Sequence, residues 1–314
     1  MKFLVSILIP TYNQSEYLLK GVVSALNQDY SNLEIIIGDD SDDEKTKAII
    51  LPLLSDKRLK YHKNEIRLGR LENYRNLLLN QAKGSYVLMM DGDDYLFVDN
   101  YISQAVKFIE SNDSISYVFS RHCIDNPSNS TLPHFKLLSG KSLLESPYYF
   151  LSRFSHLTTL YDRAKAIEAD IYKINDVLGF LSLLNEGNIG YNNNFVGVWR
   201  KTSINESFNF NTNKAFSDMH MIDNAVYRYN IRLSKWVILK YKMYYVFTYI
   251  LLAKMNNYKF TTQEILDLKG ESISKSKFLK FYIFLINNIP IFIIKLLNKL
   301  IATINFQYER IFNL

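Results

Sequence analysis

The sequence has a single cysteine, Cys123, among its 314 residues. One cysteine excludes an internal disulfide framework and is typical of a reducing compartment, so we expect a cytoplasmic location. Long apolar runs are also missing from about residue 211 onward, because the two longest uncharged stretches of that region, 243–253 and 281–294, fall short of the ~20 residues that span a bilayer. The apolar stretch 3–9 is too short for a secretory signal and predicts a buried strand.

Glycine-rich nucleotide-binding motifs are absent as well. No Gly-x-Gly-x-x-Gly follows a predicted strand, and the stretch 139–142 (SGKS) is not a phosphate-binding P-loop, because Phe135 stands where that motif needs glycine. The chain has no internal repeat. No motif of a nucleic-acid-binding fold accompanies its basic residues, so we predict no nucleic-acid partner.

The positive charge is concentrated at the C-terminal end. The net charge is +6, but residues 1–120 carry 13 Lys/Arg against 17 Asp/Glu, whereas residues 228–314 carry 14 against 4. A basic end beside an acidic body indicates a surface that meets an anionic partner. Along 277–299, lysines and asparagines recur on one helical face, which is typical either of a helix on an anionic membrane or of one packed on the protein.

The first hundred residues alternate strand and helix patterns. The predicted strands cover 3–9, 33–38, 58–62 and 85–90, and the predicted helices cover 15–28, 43–54, 71–84 and 98–110. Strands separated by helices of this length predict an α/β fold with a Rossmann-like, mostly parallel sheet flanked by helices. In such sheets, ligands bind beyond the carboxyl ends of the strands.

Polar clusters follow three of these strands, at 10–13 (PTYN), 39–43 (DDSDD) and 91–94 (DGDD). So many carboxylates on one edge would repel one another, and a divalent cation among them removes the conflict. Oxygen ligands select a hard ion, so the sequence predicts Mn²⁺ or Mg²⁺ together with substrate phosphates. An acidic pair after a strand is also common in Asx turns, and Asp94 is suited to starting the next helix.

Two segments, 5–43 and 72–96, resemble the family 2 glycosyltransferases in order, spacing and strand context. These are inverting enzymes with the A-type glycosyltransferase (GT-A) fold, and this chain is similar to members that build bacterial surface polysaccharides. The resemblance covers roughly the first 110 residues. It implies a GT-A domain over 1–210, with a nucleotide-sugar half (1–110) and an acceptor half (111–210), and a basic helical extension over 211–314.

The resemblance also implies roles for individual residues. The expected nucleotide-sugar-binding residues are Pro10, Thr11, Tyr12, Asn13, Asp39, Asp40, Arg67, Asn73, Asp91, Gly92 and Asp93. Among them, Asp40 is the favoured contact to base or ribose. Asp93 is the expected ligand of the metal that bridges the diphosphate, and Asp91 would hold either the ribose or the metal with its water.

An inverting transfer needs a base that takes the proton of the acceptor hydroxyl. The stretch 174–200 resembles the family segment in which an acidic pair opens a helix and an aromatic–Arg pair follows, here Trp199 and Arg200. The resemblance implies Asp176 as the base, with Asn175 in place of the first acid. From the local sequence alone, a helix N-cap is the favoured interpretation of Asp176, and an N-cap aspartate can also face a cleft.

Asp218 is the alternative base. Family members often carry a histidine that approaches the metal where this chain has Thr202, so the resemblance implies either that the metal lacks this ligand or that His220 substitutes for it. At i and i+2 on a helix, Asp218 and His220 would point in different directions, which favours a solvated helix face.

Together these features predict a metal-dependent inverting glycosyltransferase. It would move a sugar from a nucleoside-diphosphate sugar to a saccharide or lipid-linked saccharide hydroxyl in capsule, O-antigen or similar synthesis, at the inner face of the membrane through 228–314. One alternative is a catalytically silent nucleotide-sugar-binding subunit, consistent with the departures from the family at Ser41 (where glycine is common), Asn175 and Thr202. The other alternative is a nucleotidyltransferase, which would release pyrophosphate.

Overall fold

The computed structural model describes residues 3–127, 132–185, 187–202, 221–242 and 244–245. The strands are β1 Val5–Thr11, β2 Leu33–Asp39, β3 Leu59–Lys63, β4 Tyr86–Met89, β5 Tyr95–Leu96, β6 Ile115–Ile124, β7 Phe135–Ser139, β8 Thr159–Asp162 and β9 Asn188–Trp199. The α-helices are α1 Ser15–Leu26, α2 Lys45–Ile50, α3 Arg70–Asn76, α4 Tyr101–Glu110, α5 Gly140–Leu144, α6 Pro147–Leu151, α7 Arg163–Ala169 and α8 Phe180–Asn185. Further helical stretches lie at 221–228 and 235–242.

The strands form one mixed sheet in the order β3-β2-β1-β4-β8-β6-β9-β5, with β7 also paired to β9. Strands β1 to β4 run parallel to one another, which confirms the βαβ units predicted from the first hundred residues. Strand β8 is antiparallel to both of its neighbours, β4 and β6. The sheet therefore changes from parallel to antiparallel pairing between β4 and β8.

Strands β1 and β2 are buried along their whole lengths. A parallel strand that is covered on both faces has apolar side chains in succession rather than in alternation. This explains why the segments around Ile7 and Ile36 read as continuous apolar runs. The core packed on both faces of these strands holds them in place. The polar clusters follow directly at the carboxyl ends of the strands.

The α-helical parts of two predicted helices are shorter in the structure than the ranges predicted from the sequence. The predicted helix 43–54 is α2 followed by a 3₁₀ turn at Leu51–Leu53, because Pro52 lacks the N–H that would continue the α-helix. The predicted helix 71–84 is α3 followed by a π-helical turn at Leu77–Gln81. Neither difference changes where the next strand begins.

The chain divides into two compact units. The first contains the whole sheet and, among the described residues, 3–127, 132–146, 150–185, 187–202 and 224–233. The second contains described residues 147–149, 221–223, 234–242 and 244–245, with an ion pair of 2.5 Å between Lys242 Nζ and Asp223 Oδ2. Within the described parts of the chain, every helix falls short of the length and hydropathy needed to cross a membrane.

Candidate active site

The polar clusters that follow β1, β2 and β4 meet at one edge of the sheet. The last residues of β1 and β2, Thr11 and Asp39, are direct partners in the ladder. The backbone N–H of Asp40 donates to the carbonyl of Thr11 at 2.9 Å, and that of Gly92 donates to the carbonyl of Pro10 at 3.0 Å. The parallel register therefore brings together the three clusters that the sequence analysis expected there.

Asp39 is fully buried and tied to the end of β3. Its Oδ2 accepts hydrogen bonds from Tyr61 Oη at 2.8 Å and from Lys63 Nζ at 3.4 Å, and its Oδ1 accepts from the backbone N–H of Ser41 at 2.9 Å. Ser41 Oγ in turn accepts from the backbone N–H of Asn13 at 2.8 Å, where Asn13 has a left-handed φ of 54°. Ser41 thus links the turns after β1 and β2, a contact that glycine could not make.

Asp40 organises the loop between β3 and α3. Its Oδ1 accepts hydrogen bonds from Asn64 Nδ2 at 2.8 Å and from the backbone N–H of Leu68 at 3.0 Å, and its Oδ2 accepts from the backbone N–H of Gly69 at 2.7 Å. Gly69 has a φ of +83°, which favours glycine. The carboxylate of Asp40 therefore fixes the loop that carries Arg67.

Two of the expected nucleotide-binding residues stack on each other. The guanidinium carbon of Arg67 lies 3.9 Å from the centre of the Tyr12 ring, within the range of a cation–π contact. Asn73, which is buried, donates from Nδ2 to the carbonyl of Gly38 at 2.9 Å and accepts from Asn64 at 3.1 Å. Asn73 therefore supports the end of β2 from within, while Arg67 and Tyr12 form a flat surface.

Gly92 allows a close approach to β1. A Cβ atom at this position would lie 2.7 Å from Thr11 Oγ1 and 2.8 Å from Gln14 Oε1, closer than real Cβ atoms come. Thr11 Oγ1 is buried and lacks a hydrogen-bond partner among the described residues. Only glycine fits against the side chain of Thr11.

The three aspartates after β4 have different environments. Burial alone would raise the pKa of Asp91, but His156 first, then a hydrogen bond from Tyr74 Oη and the charge of Arg70, bring the pKa below its ordinary value. Burial, followed by the charge of Asp91, raises the pKa of Asp93 to about 6. Burial and both neighbouring carboxylates raise the pKa of Asp94 well above its ordinary value.

Arg200 closes the back of this acidic loop. Its Nε donates to the backbone carbonyl of Asp93, its Nη2 donates to the carbonyl of Tyr17 at 2.9 Å, and its backbone N–H donates to Asp94 Oδ1 at 3.1 Å. Asp94 therefore anchors the end of β9, whereas the helix that it was suggested to start begins at Tyr101. Arg200 of the predicted aromatic–Arg pair thus contacts the acidic loop after β4.

Asp176 lies at the same site, between two basic side chains. Arg70 Nη1 donates to Asp176 Oδ2 at 2.6 Å, and His156 Nδ1 lies 3.7 Å from the same oxygen. Burial would raise the pKa of Asp176, but Arg70 and then His156 bring it below its ordinary value. The helix-cap interpretation of Asp176 is wrong, because Asn175 Oδ1 accepts the backbone N–H groups of Val177 and Leu178, at 2.9 and 2.6 Å.

Three residues of this site were not anticipated from the sequence. Tyr74 and Arg70 lie on α3, and His156 opens the 3₁₀ turn His156–Thr158 that precedes β8. No sequence motif distinguishes these three residues. Arg70 and Tyr74 do lie on the same helix as the predicted site residue Asn73, which offered a partial signal. The alternative residues Asp218 and His220 lie outside the described residues, as do 277–299.

The acidic loop fits a hard cation in part. Asp91 and Asp93 provide oxygen ligands, and burial, followed by the charge of Asp91, raises the pKa of Asp93, which a bound cation would counteract. Within the described portions of the chain, no third His, Cys, Asp or Glu joins them in a metal-binding group. Thr202, at the position of the family's histidine, instead donates from Oγ1 to Asp93 Oδ2 at 3.4 Å. Substrate phosphate and water would have to complete the coordination.

Part of the chain is similar to a curated glycosyltransferase. The chain is 32% identical over 139 residues to a GalNAc(5)-diNAcBac-PP-undecaprenol beta-1,3-glucosyltransferase from Campylobacter jejuni, a match that covers 44% of this chain and 43% of that relative. The matched region thus spans less than half of the relative's length.

Solved structures share the fold. Staphylococcus aureus TarS 1–349 in complex with UDP-GlcNAc superposes with a TM-score of 0.60 at 18% identity, over 79% of this chain and 81% of that one. The mannosyltransferase PcManGT from Pyrobaculum calidifontis, in complex with GDP-Man and Mn²⁺, superposes with a TM-score of 0.58 at 14% identity, over 96% and 88%. These similarities confirm the predicted GT-A fold. The model named Glycosyl transferase family 2 matches residues 6–173, more than half of the chain, so the chain belongs to this family.

Proposed function

We propose that the chain is an inverting glycosyltransferase that moves a sugar from a nucleoside-diphosphate sugar to a hydroxyl of a saccharide acceptor. One observation carries this proposal: the acidic edge formed by Asp39, Asp40, Asp91 and Asp93 lies next to a separate carboxylate, Asp176, with His156 in contact with both sets. A donor bound at the acidic edge would therefore present its sugar to a candidate base.

In this proposal the nucleoside lies against the ends of β1 and β2. Tyr12 and Arg67 offer a flat face for the base, and Asp40 contacts base or ribose directly. Among the described residues, Asp40 Oδ2 accepts one hydrogen bond, from Gly69, and a carboxylate oxygen can accept a second.

Asp176 is the proposed base. Displacement at the anomeric carbon forms a bond from the acceptor oxygen and breaks the bond to the diphosphate, while Asp176 takes the proton of the acceptor hydroxyl. Its lowered pKa means that the carboxylate is ionised at neutral pH, which is the form that can accept this proton. A base of this kind contributes about 10²–10⁴-fold to the rate.

Asp93 and Asp91 are the proposed residues for Mn²⁺ or Mg²⁺. Two carboxylates together with diphosphate oxygens and water are a usual ligand set for such ions. The ion would stabilise negative charge on the departing diphosphate. The Mn²⁺ complex of the Pyrobaculum mannosyltransferase supports this assignment.

The proposed acceptor is a saccharide on a polyprenyl diphosphate, in bacterial surface polysaccharide synthesis. The acceptor named for the Campylobacter relative supports this class. The 14 Lys/Arg against 4 Asp/Glu in 228–314 support docking on the anionic inner face of the cytoplasmic membrane. Flotation with phosphatidylglycerol vesicles tests the docking: the chain should float, and it should not float after replacement of Lys277, Lys280, Lys295 and Lys299 by alanine.

The activity is tested by product release. The chain is incubated with Mn²⁺, an undecaprenyl-diphosphate-linked saccharide and UDP-glucose, UDP-GlcNAc or GDP-mannose in turn. Release of the nucleoside diphosphate, with a product heavier by one sugar, is the expected result. Release of pyrophosphate would instead identify a nucleotidyltransferase. Nucleotide binding without transfer across the panel would favour a silent binding subunit.

A further inference from the structure

His156 lies within ion-pair distance of both Asp91 and Asp176. Its Nε2 lies 3.4 Å from Asp91 Oδ2, and its Nδ1 lies 3.7 Å from Asp176 Oδ2. The side chain is 11% exposed, so these contacts are largely shielded from water. The two nitrogens of one ring thus face one carboxylate from each half of the proposed site.

The ring of His156 is held by rigid parts of the fold. It meets the fully buried Tyr74 ring edge-on, with 5.8 Å between the ring centres. The 3₁₀ turn that begins at His156 is anchored through Thr158, whose Oγ1 donates to the carbonyl of Ser120 in β6 at 2.6 Å. The carbonyl of Thr158 accepts from Tyr101 Oη in α4, also at 2.6 Å. These contacts fix the position of the His156 ring relative to β6 and α4.

Asp176, in contrast, lies in the irregular stretch before α8. Arg70 from α3 and His156 both face one oxygen of its side chain, Oδ2, at 2.6 and 3.7 Å. The Arg70 side chain is 40% exposed, whereas that of His156 is 11% exposed, so the ring of His156 is the more enclosed of the two partners. Misplacement of a reacting group by about 1 Å costs about 10²-fold in rate.

We propose that His156 is a positioning residue: its Nδ1 side fixes the carboxylate of Asp176 towards the acceptor, and its Nε2 side fixes Asp91 at the donor. This inference rests on the proposed function, because it assigns to Asp176 the role of base. Loss of the Nδ1 contact then lowers kcat, and loss of the Nε2 contact raises the KM for the donor.

Two conservative variants separate the two contacts. Asparagine places its amide nitrogen near the position of histidine Nδ1, whereas glutamine places its amide nitrogen near that of Nε2. His156→Asn should keep kcat within about tenfold of wild type and raise the KM for UDP-glucose, whereas His156→Gln should lower kcat about 10²-fold and leave that KM within about twofold. A role in packing alone predicts the reverse order for kcat, because glutamine is closer to histidine in size.

The control is the same pair of substitutions at His134, an exposed histidine, where both should leave kcat unchanged. Equal kcat for His156→Asn and His156→Gln, or a lower kcat for asparagine, would overturn the proposal.

A second measurement does not depend on activity. Urea unfolding of His156→Asn, His156→Gln, Asp176→Asn and the two double variants gives the coupling between positions 156 and 176. The asparagine cycle should show coupling of about threefold or more in the unfolding equilibrium constant, and the glutamine cycle none. If positions 156 and 176 are coupled in unfolding but the wild-type protein transfers no sugar, the proposed function is refuted and the contact between His156 and Asp176 is supported. Transfer in wild type with no coupling in either cycle would refute the positioning role alone.

Discussion

Replacement of Asp93 by asparagine should make the folded protein more stable at neutral pH while it weakens the response to metal. Asp93 is 3% exposed, and burial, followed by the charge of Asp91, raises its pKa from 3.8 to about 6. An ionised carboxylate at this position is therefore less favourable in the folded protein than in the unfolded chain. If this loop has evolved to hold a cation, removal of the charge should be stabilising when no cation is present.

The magnitude follows from the difference between the two pKa values. Because the folded value is the higher one, the folded protein binds the proton more tightly, and its stability falls as the pH rises from about 4 to about 6. At about 1.36 kcal/mol per pKa unit, the difference between 3.8 and about 6 corresponds to about 3 kcal/mol at neutral pH. The substituted asparagine side chain has no charge to bury, and its amide oxygen can still accept the hydrogen bond from Thr202.

Urea unfolding in the presence of chelator measures this effect. Asp93→Asn should raise the free energy of unfolding by about 2–3 kcal/mol at about pH 7.5 and by roughly half as much at about pH 5. The matched control is Asp113→Asn at an exposed aspartate, which should change stability by less than about 0.5 kcal/mol.

Addition of Mn²⁺ with UDP should reverse the order. It should stabilise wild type more than Asp93→Asn, since the variant lacks a proposed metal ligand and ligands stabilise only the state that binds them. A variant that is less stable than wild type at about pH 7.5 without metal, or a gain that does not shrink at about pH 5, would refute the reasoning about uncompensated charge.

Three further changes test other parts of the site. Gly92→Ala should weaken UDP binding at least about tenfold in calorimetry, because its methyl group would meet Thr11 Oγ1 at 2.7 Å; an unchanged Kd would contradict this placement. Arg200→Met should lower the free energy of unfolding by about 2–4 kcal/mol in urea, since it loses hydrogen bonds from its charged group to two carbonyls, and a change below about 0.5 kcal/mol would show that these bonds contribute little. Asp176→Asn should lower kcat about 10²–10⁴-fold with UDP affinity unchanged, and a wild-type rate would exclude this residue as the base.

The donor side of the site could be predicted from the sequence because it depends on local order. Buried parallel strands end at a common edge, so Asp39, Asp40, Asp91 and Asp93 were expected together once the strands were recognised. The contact between Arg70 and Asp176 joins residues 106 positions apart and could not be predicted in this way. The cap at Asn175 shows a second limit, since neighbouring Asn and Asp residues are equally suited to capping and only the structure separates them.

The position of His156 follows from β8, a strand that was not predicted from the sequence pattern. The rule that ligands bind at the carboxyl ends of strands applies to parallel sheets, and it selects the residues after β1, β2 and β4. Strand β8 is antiparallel to β4, with Leu88 opposite Leu160, so the residues that precede β8 lie beside those that follow β4. The turn that contains His156 is therefore brought next to Asp91 by strand direction, and a search of this sequence for site residues after strands alone would have missed it.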